Sequence, residues 1–329
     1  MNDTLHYMQT DFPWRPGAHR LLTFSLMYAF NENFVLPLSH DEVVNGKCSL
    51  MGRMPGDQWR QFAGLRTLAF YQMTHPGAQL NFMGNEIAPF IEWRYYESLE
   101  WFLADEFDAH RNHRAFVKAL NHLYLNEPAF WEKSYTEDGF TWIDADNNQQ
   151  SIISFTRHGM KQKDDVVVII NFDPASYETF RMGVPREGDW QVIFDSDKPE
   201  FGGSGYQLEA LDNVVCSSQP YPWNGCDNSI QLALPGLSGI VLKRIGKSSY
   251  VPPKPKKKPA KRSAKGASAS RAAKSATSTA KPETTAKPAP KKPATKAPAA
   301  PAAKASAAPS GAKAPAKKTA KPKSSAPTA

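Results

Sequence analysis

The residues best suited to chemistry are Ser39-His40-Asp41-Glu42, a histidine beside one hydroxyl and two carboxylates. They follow an apolar run at residues 34–38, which predicts a strand buried on both faces. In α/β folds, binding and catalytic groups gather at the carboxyl ends of strands. A histidine and two acids there could bind a hydroxyl-rich substrate and stabilise positive charge. The pattern fits a structural role equally well, with Asp41 capping the next turn and His40 partly buried.

The elements around these four residues alternate between strand and helix. Asp57 predicts the N-cap of a long helix that ends at Pro76-Gly77. A second apolar run, at residues 80–83, predicts another buried strand. A later helix, with an apolar stripe, ends before Pro128. This order of strand, helix, strand and helix indicates a parallel α/β arrangement.

After residue 131 the apolar pattern changes to a period of two, separated by Gly, Pro, Asn and Asp clusters. Short strands at this spacing predict an antiparallel sandwich of about 110 residues that requires no helix. The predicted strands lie at residues 151–157, 165–172, 177–184, 190–194, 230–234 and 240–242.

Charge divides the chain into two unlike parts. The chain has a formal net charge of +8, but residues 247–329 carry 19 Lys, 2 Arg and one acid, a net +20, whereas residues 1–246 carry −12. The basic part has one aromatic residue, Tyr250, so it has almost nothing to bury and is predicted to be disordered. Its composition fits a simple solvated appendage, and the alternative is salt-sensitive binding of its charge to nucleic acid or another polyanion.

Several classes of protein do not fit the composition. No apolar run approaches the roughly 18 residues of a membrane helix, and residues 1–20 lack the pattern of a signal peptide. The three cysteines, Cys48, Cys216 and Cys226, are widely spaced, which favours reduced thiols in a cytoplasmic protein over a disulfide framework or zinc site. No metal site is predicted.

Many ordered motifs in residues 1–246 resemble those of glycogen (1,4-α-glucan) branching enzymes, in the α-amylase superfamily. The run Leu36-Pro-Leu-Ser-His-Asp-Glu-Val-Val44 distinguishes this resemblance from one to hydrolases of the same superfamily. The motifs that carry it lie at residues 2–5, 22–30, 34–47, 54–57, 82–86, 92–93, 98–101, 139–146, 171–172 and 201–205.

The resemblance implies three regions. Residues 1–131 would be the C-terminal part of a catalytic (β/α)8 barrel, with its last strands and helices only. Residues 132–246 would be the all-β C-terminal domain, and residues 247–329 a disordered Lys/Ala/Pro-rich tail outside the family pattern. About 130 residues are too few for a complete barrel, which takes about 250.

The resemblance also implies roles for three residues. Asp41 corresponds to the third catalytic carboxylate, the transition-state stabiliser, while His40 and Glu42 would bind substrate. The implied reaction is retaining transfer of an α-1,4-glucan segment to a 6-hydroxyl of glycogen, which forms α-1,6 branches and uses no cofactor.

The family's nucleophile Asp and acid/base Glu lie on earlier barrel strands, before the first residue of this chain. Glu86 and Asp144 lie in motifs that differ from the catalytic ones, and both favour structural roles. We expect a C-terminal fragment, because Met1 fits an internal methionine. Since the nucleophile and the acid/base would be missing, we expect this fragment to be inactive alone. The alternative is a non-catalytic remnant that binds glucan or a polyanion. The sequence leaves the oligomeric state open.

Overall fold

A computed structural model of the chain describes residues 1–212 and 214–252. The predicted disorder of the basic tail lies, from residue 253 onwards, outside the described residues. Among the described residues, no helix combines the length and the apolar character needed to cross a membrane.

The first part of the chain consists of helices around a small parallel sheet. Its elements are α1 (Asn2–Gln9), α2 (Arg15–Ala18), α3 (Arg20–Thr23), β1 (Val35–Leu38), α4 (Gln58–Thr74), β2 (Ala78–Asn81), α5 (Phe102–Glu106) and α6 (Asp108–Asn126).

Strands β1 and β2 pair in parallel, as the alternation of strand and helix predicts. Val35 lies opposite Ala78, and Leu38 lies opposite Asn81. The predicted position of the second strand, residues 80–83, was wrong by two residues. Gly77 adopts φ 104° and brings the chain into register immediately after α4, so the strand starts earlier than its apolar residues suggest. The predicted burial of both strands was also wrong, since Val35 and Leu80 are 40% and 41% exposed.

Helix α4 begins where the sequence predicts, because the Asp57 carboxylate accepts a hydrogen bond from the Arg60 amide at 2.9 Å. Its buried side chains surround the helix rather than following one stripe. One side meets the parallel sheet, where the Gln72 amide nitrogen donates to the carbonyl oxygens of Leu36 at 2.9 Å and Leu80 at 2.7 Å. Another side packs on the β-rich part, where the rings of Phe70 and Phe194 stack with centroids 5.9 Å apart.

Among its described residues, the second part consists of β-strands with one short α-helix and a few 3-10 turns. Its elements are β3 (Phe140–Asn147), β4 (Ile152–Arg157), β5 (Val166–Asn171), β6 (Tyr177–Val184), β7 (Asp189–Asp195), α7 (Leu208–Leu211), β8 (Val215–Ser217), β9 (Asn228–Leu234) and β10 (Ser238–Gly246). An antiparallel six-stranded sheet has the order β3-β4-β5-β10-β7-β8, and β6 pairs with β9 in a second sheet.

The side chains of β5 alternate between two hydrophobic cores. Val166, Val168 and Ile170 belong to the core shared with the helices, whereas Val167 and Ile169 belong to the core beneath the β6-β9 sheet. Because both faces of the strand are covered, it reads as a continuous apolar run. The antiparallel all-β arrangement predicted after residue 131 is therefore confirmed, with β3 and β8 added to the six predicted strands.

Two buried arginines join the helical part to the β-rich part. The Arg15 guanidinium donates to the carbonyl oxygens of Phe172 and of Met8. Arg157, in β4, donates to the carbonyl oxygen of Thr74 at the end of α4. The predicted boundary between residues 131 and 132 stays a prediction, because one core includes residues from both sides of it.

Candidate functional site

Residues 39–42 follow β1 in a single 3-10 turn, His40–Glu42. The Ser39 hydroxyl oxygen accepts a hydrogen bond from the Asp41 amide at 3.3 Å, so Ser39 caps the turn and the Asp41 side chain is left free of that role. The side chains of His40 and Asp41 are 54% and 67% exposed, and His40 Nε2 lies 3.4 Å from Asp41 Oδ1. A histidine and a carboxylate are therefore presented together at the carboxyl end of a parallel strand.

The His40 ring packs against two aromatic side chains. The ring centroid of His40 lies 5.9 Å from that of Phe82 and 6.3 Å from that of Trp93. Phe82 and Trp93 contact each other edge to face at 5.1 Å. Phe82 directly follows β2, and its amide donates to the Leu38 carbonyl oxygen at 2.8 Å. The parallel pairing therefore places Phe82 beside the turn that carries His40.

The loop after His40-Asp41-Glu42 is held by Glu92. Its carboxylate accepts hydrogen bonds from the backbone amides of Cys48 at 2.8 Å and Gly46 at 3.0 Å. These amides stabilise the charged form and lower the pKa of Glu92 below its usual value. The next residue, Trp93, donates its amide to the Val43 carbonyl oxygen at 2.9 Å. Glu92 and Trp93 together thus hold the loop after the turn and the indole ring that packs against His40.

Glu42 is half-buried at the end of the same turn. Its backbone carbonyl oxygen accepts a hydrogen bond from the Arg53 guanidinium. Arg53 thereby anchors the end of the turn through the backbone, and the Glu42 carboxylate takes no part in that bond.

The other acids considered from the sequence have structural partners. The Glu86 carboxylate accepts a hydrogen bond from the Gly84 amide at 2.8 Å. Asp144 lies in β3, where its carboxylate accepts from the Asn224 side-chain amide at 2.8 Å and from the Asp146 backbone amide at 3.2 Å. Burial raises the pKa of Asp144. Through these contacts, Glu86 and Asp144 stabilise the structure around them.

Within the described residues, no group of three or more His, Cys, Asp or Glu side chains is arranged to hold a metal ion. Cys48, Cys216 and Cys226 are free thiols.

Sequence reasoning missed the role of Glu92 as an anchor for the loop. Its two partners are backbone amides, which carry no side-chain pattern that a sequence could reveal. The Trp93 ring packs against His40 and Phe82.

Comparison with known proteins first defines the class of the β-rich part. Residues 142–245 match the family model described as alpha amylase, C-terminal all-beta domain. Two solved structures share the fold. They are a type I pullulanase of Bacillus subtilis, at 13% identity and a TM-score of 0.50 over 75% of this chain and 33% of that one, and a pullulanase of Bacillus acidopullulyticus, at 12% identity and a TM-score of 0.50 over 72% and 28%.

Curated relatives with high sequence identity define a narrower class than the family model and the solved structures do. The chain is 47% identical over 243 residues to the 1,4-alpha-glucan branching enzyme GlgB of Desulfitobacterium hafniense, covering 74% of this chain and 38% of the relative. It is 44% identical to GlgB of Clostridium perfringens, covering 74% and 36%. The predicted resemblance to the C-terminal part of branching enzymes is confirmed. The chain spans little more than a third of these relatives.

Proposed function

We propose that residues 1–246 are the C-terminal part of a 1,4-α-glucan branching enzyme that acts on glycogen. One observation carries the proposal. The exposed pair His40 and Asp41 lies at the carboxyl end of a parallel strand, in a chain 44–47% identical to branching enzymes. The pullulanase likeness supports the fold alone.

In the proposed reaction, Asp41 stabilises the oxocarbenium-like transition state and binds sugar hydroxyls, while His40 and Glu42 bind the same sugar. A separate carboxylate attacks the anomeric carbon, and a carboxylic acid protonates the departing glycosidic oxygen. The acid, now a carboxylate, then takes the proton of the 6-hydroxyl of another glucose, and that oxygen displaces the enzyme carboxylate, so one α-1,4 bond is exchanged for one α-1,6 bond. Phe82 and Trp93 keep the His40 ring in place during both steps.

The proposal includes a partial barrel in residues 1–131. Parallel sheets are ordinarily covered on both faces. Here α4 covers one face of β1 and β2, whereas Val35 and Leu80 are 40% and 41% exposed. Further strands of the same sheet would cover such apolar side chains.

The first experiment incubates the purified chain with amylose. We expect no new α-1,6 linkages, because the nucleophile and the acid/base are not among the residues assigned here. The second joins the preceding part of the Desulfitobacterium hafniense enzyme to residues 1–246. We expect this chimera to branch amylose and its Asp41→Asn variant to lose that activity by about 10³-fold or more. An active variant would refute the role proposed for Asp41, and an inactive chimera that folds would refute the branching assignment.

A second candidate function is binding without catalysis, by a cytoplasmic protein. The net charge of +20 in residues 247–329 favours a polyanion, including nucleic acid, as a partner of the tail. Deleting these residues should abolish retention on heparin at low salt. Unchanged retention would remove the polyanion from consideration.

A further inference from the structure

The loop at residues 219–226 exposes two aromatic rings on the β-rich part of the protein. The loop reads Gln-Pro-Tyr-Pro-Trp-Asn-Gly-Cys, and Tyr221 and Trp223 are 53% and 43% exposed. Their ring centroids are 6.3 Å apart, and the ring planes are inclined by 34°. Exposed aromatic side chains grouped in this way indicate a binding surface more often than scattered ones do.

The backbone of this loop is fixed at both ends. Gln219 and Ser229 exchange two hydrogen bonds of 2.8 and 3.1 Å, and Trp223 and Cys226 exchange two of 2.9 Å. Between them, Pro220 and Pro222 restrict the chain further, because proline fixes φ. The rings are therefore presented on a preorganised backbone, which lowers the entropy lost on binding.

Arg181, in β6, fixes the first ring. Its guanidinium carbon lies 4.7 Å from the centroid of the Tyr221 ring. The same guanidinium donates to Gln219 Oε1 at 3.2 and 3.3 Å and to Ser229 Oγ at 2.8 Å. Because Arg181 is held by three hydrogen bonds, it keeps the Tyr221 ring from collapsing onto the protein surface.

Asn224 fixes the loop beside the second ring. Its side-chain oxygen accepts from the Gly183 amide at 3.1 Å, and its side-chain nitrogen donates to Asp144 at 2.8 Å. A Cβ atom at Gly183 would lie 2.4 Å from the Trp223 carbonyl oxygen, so only glycine allows the loop to sit this close to β6.

We infer that Tyr221 and Trp223 form a second glucan-binding surface, separate from residues 39–42, which takes an α-1,4-linked glucan chain. The C–H faces of glucose stack on aromatic rings, and the inclination of the two rings suits a curved polymer rather than a flat ligand. The Arg181 guanidinium lies over the Tyr221 ring and donates to Gln219 Oε1, so both side chains support the ring on which a sugar would stack. The choice of ligand rests on the proposed function. A protein partner is the competing occupant.

The test measures binding of the full chain to maltoheptaose by calorimetry and to glycogen by co-sedimentation. We expect the Tyr221→Ala/Trp223→Ala double variant to bind each glucan about tenfold more weakly. Tyr221→Phe, which keeps the ring, should bind as the unmodified chain does. Trp131→Ala is the matched control, because Trp131 is 45% exposed and lies outside the loop.

Unchanged glucan affinity in the double variant would overturn the inference and would leave a protein partner as the occupant of the two rings. Absence of glucan binding by the unmodified chain would overturn it as well. The Asp41→Asn chimera tests the proposed function independently. Loss of glucan binding in the loop variants therefore supports this inference even where the branching assignment fails.

Discussion

The guanidinium of Arg157, in β4, donates a hydrogen bond of 2.7 Å to the carbonyl oxygen of Thr74, the last residue of α4. Its other terminal nitrogen donates to the Phe130 carbonyl oxygen at 3.0 Å and the Ser134 hydroxyl at 3.2 Å. Carbonyl groups at the end of a helix lack partners within the helix. One fully buried side chain therefore satisfies three acceptors, on α4 and on residues 130–134, and joins these two segments to the β-rich part.

We predict that Arg157→Ala lowers the free energy of unfolding by about 3–5 kcal/mol. The substitution leaves a cavity and removes the donors from three buried acceptors. Urea unfolding followed by circular dichroism measures the change. Arg20→Ala is the control, because the Arg20 side chain is exposed, and its effect should stay within about 0.5 kcal/mol. Equal midpoints for the two variants would show that Arg157 does not join these segments.

A second prediction concerns the contact between α4 and β10. A Cβ atom at Gly239 would lie 2.2 Å from the Phe70 ring, although the strand backbone itself would accept any residue. Gly239→Ala should therefore destabilise the protein by about 1–3 kcal/mol through overpacking. Gly246→Ala, in the same strand, meets nothing within 4 Å and should be nearly neutral. Thermal unfolding of both variants distinguishes them, and a neutral Gly239→Ala would contradict the tight packing of Phe70.

A third prediction is a loss of stability in acid that involves His75. Burial, aided by the nearby charge of Arg157, lowers the pKa of His75 from 6.5 to about 3. Its Nδ1 lies 2.7 Å from the Pro76 carbonyl oxygen and so donates, while Nε2 accepts from the Ser25 hydroxyl at 2.8 Å. The folded state binds fewer protons than the unfolded state between these pKa values, so stability falls as pH drops from about 6.5 towards 3.

His75→Asn should be less stable than the unmodified protein at pH 7, and the difference should shrink by about 2 kcal/mol at pH 4.5. His113, whose pKa burial also lowers to about 3, adds to the acid sensitivity of both proteins. Asp195 opposes it, since burial raises its pKa to about 6. Both groups cancel in the comparison. A difference in unfolding free energy that stays constant with pH would contradict a neutral buried His75.

The parts of the fold that follow from local pattern were predictable from the sequence. Asp57 as a cap and β5 as a doubly buried strand depend on neighbouring residues or on a single apolar run. Contacts made by long polar side chains were not predictable. Arg15 and Arg157 look like surface residues in sequence, and their acceptors are carbonyl oxygens up to 157 residues away.

The candidate site also has one part that was predictable from the sequence and one part that was not. His40 and Asp41 are recognisable by type and position, because a strand end precedes them. The loop that holds them was not recognisable, since the Glu92 carboxylate binds backbone amides 44 and 46 residues earlier. Backbone partners leave no trace in the identity of the residues that supply them.

The last prediction therefore concerns Glu92. Its carboxylate accepts from two amides, whereas glutamine offers one oxygen and presents an N–H group to the other amide. Glu92→Gln should release residues 43–48, with faster amide exchange at Gly46 and Cys48 by hydrogen-exchange mass spectrometry. Because these bonds lower the pKa of Glu92, the unmodified loop should keep its protection at neutral pH and lose it only as pH falls through that lowered value. Glu97→Gln is the control, since the Glu97 carboxylate pairs with the exposed Arg94 and with no backbone amide among the described residues. Equal exchange in the two variants would show that Glu92 does not hold the loop beside His40.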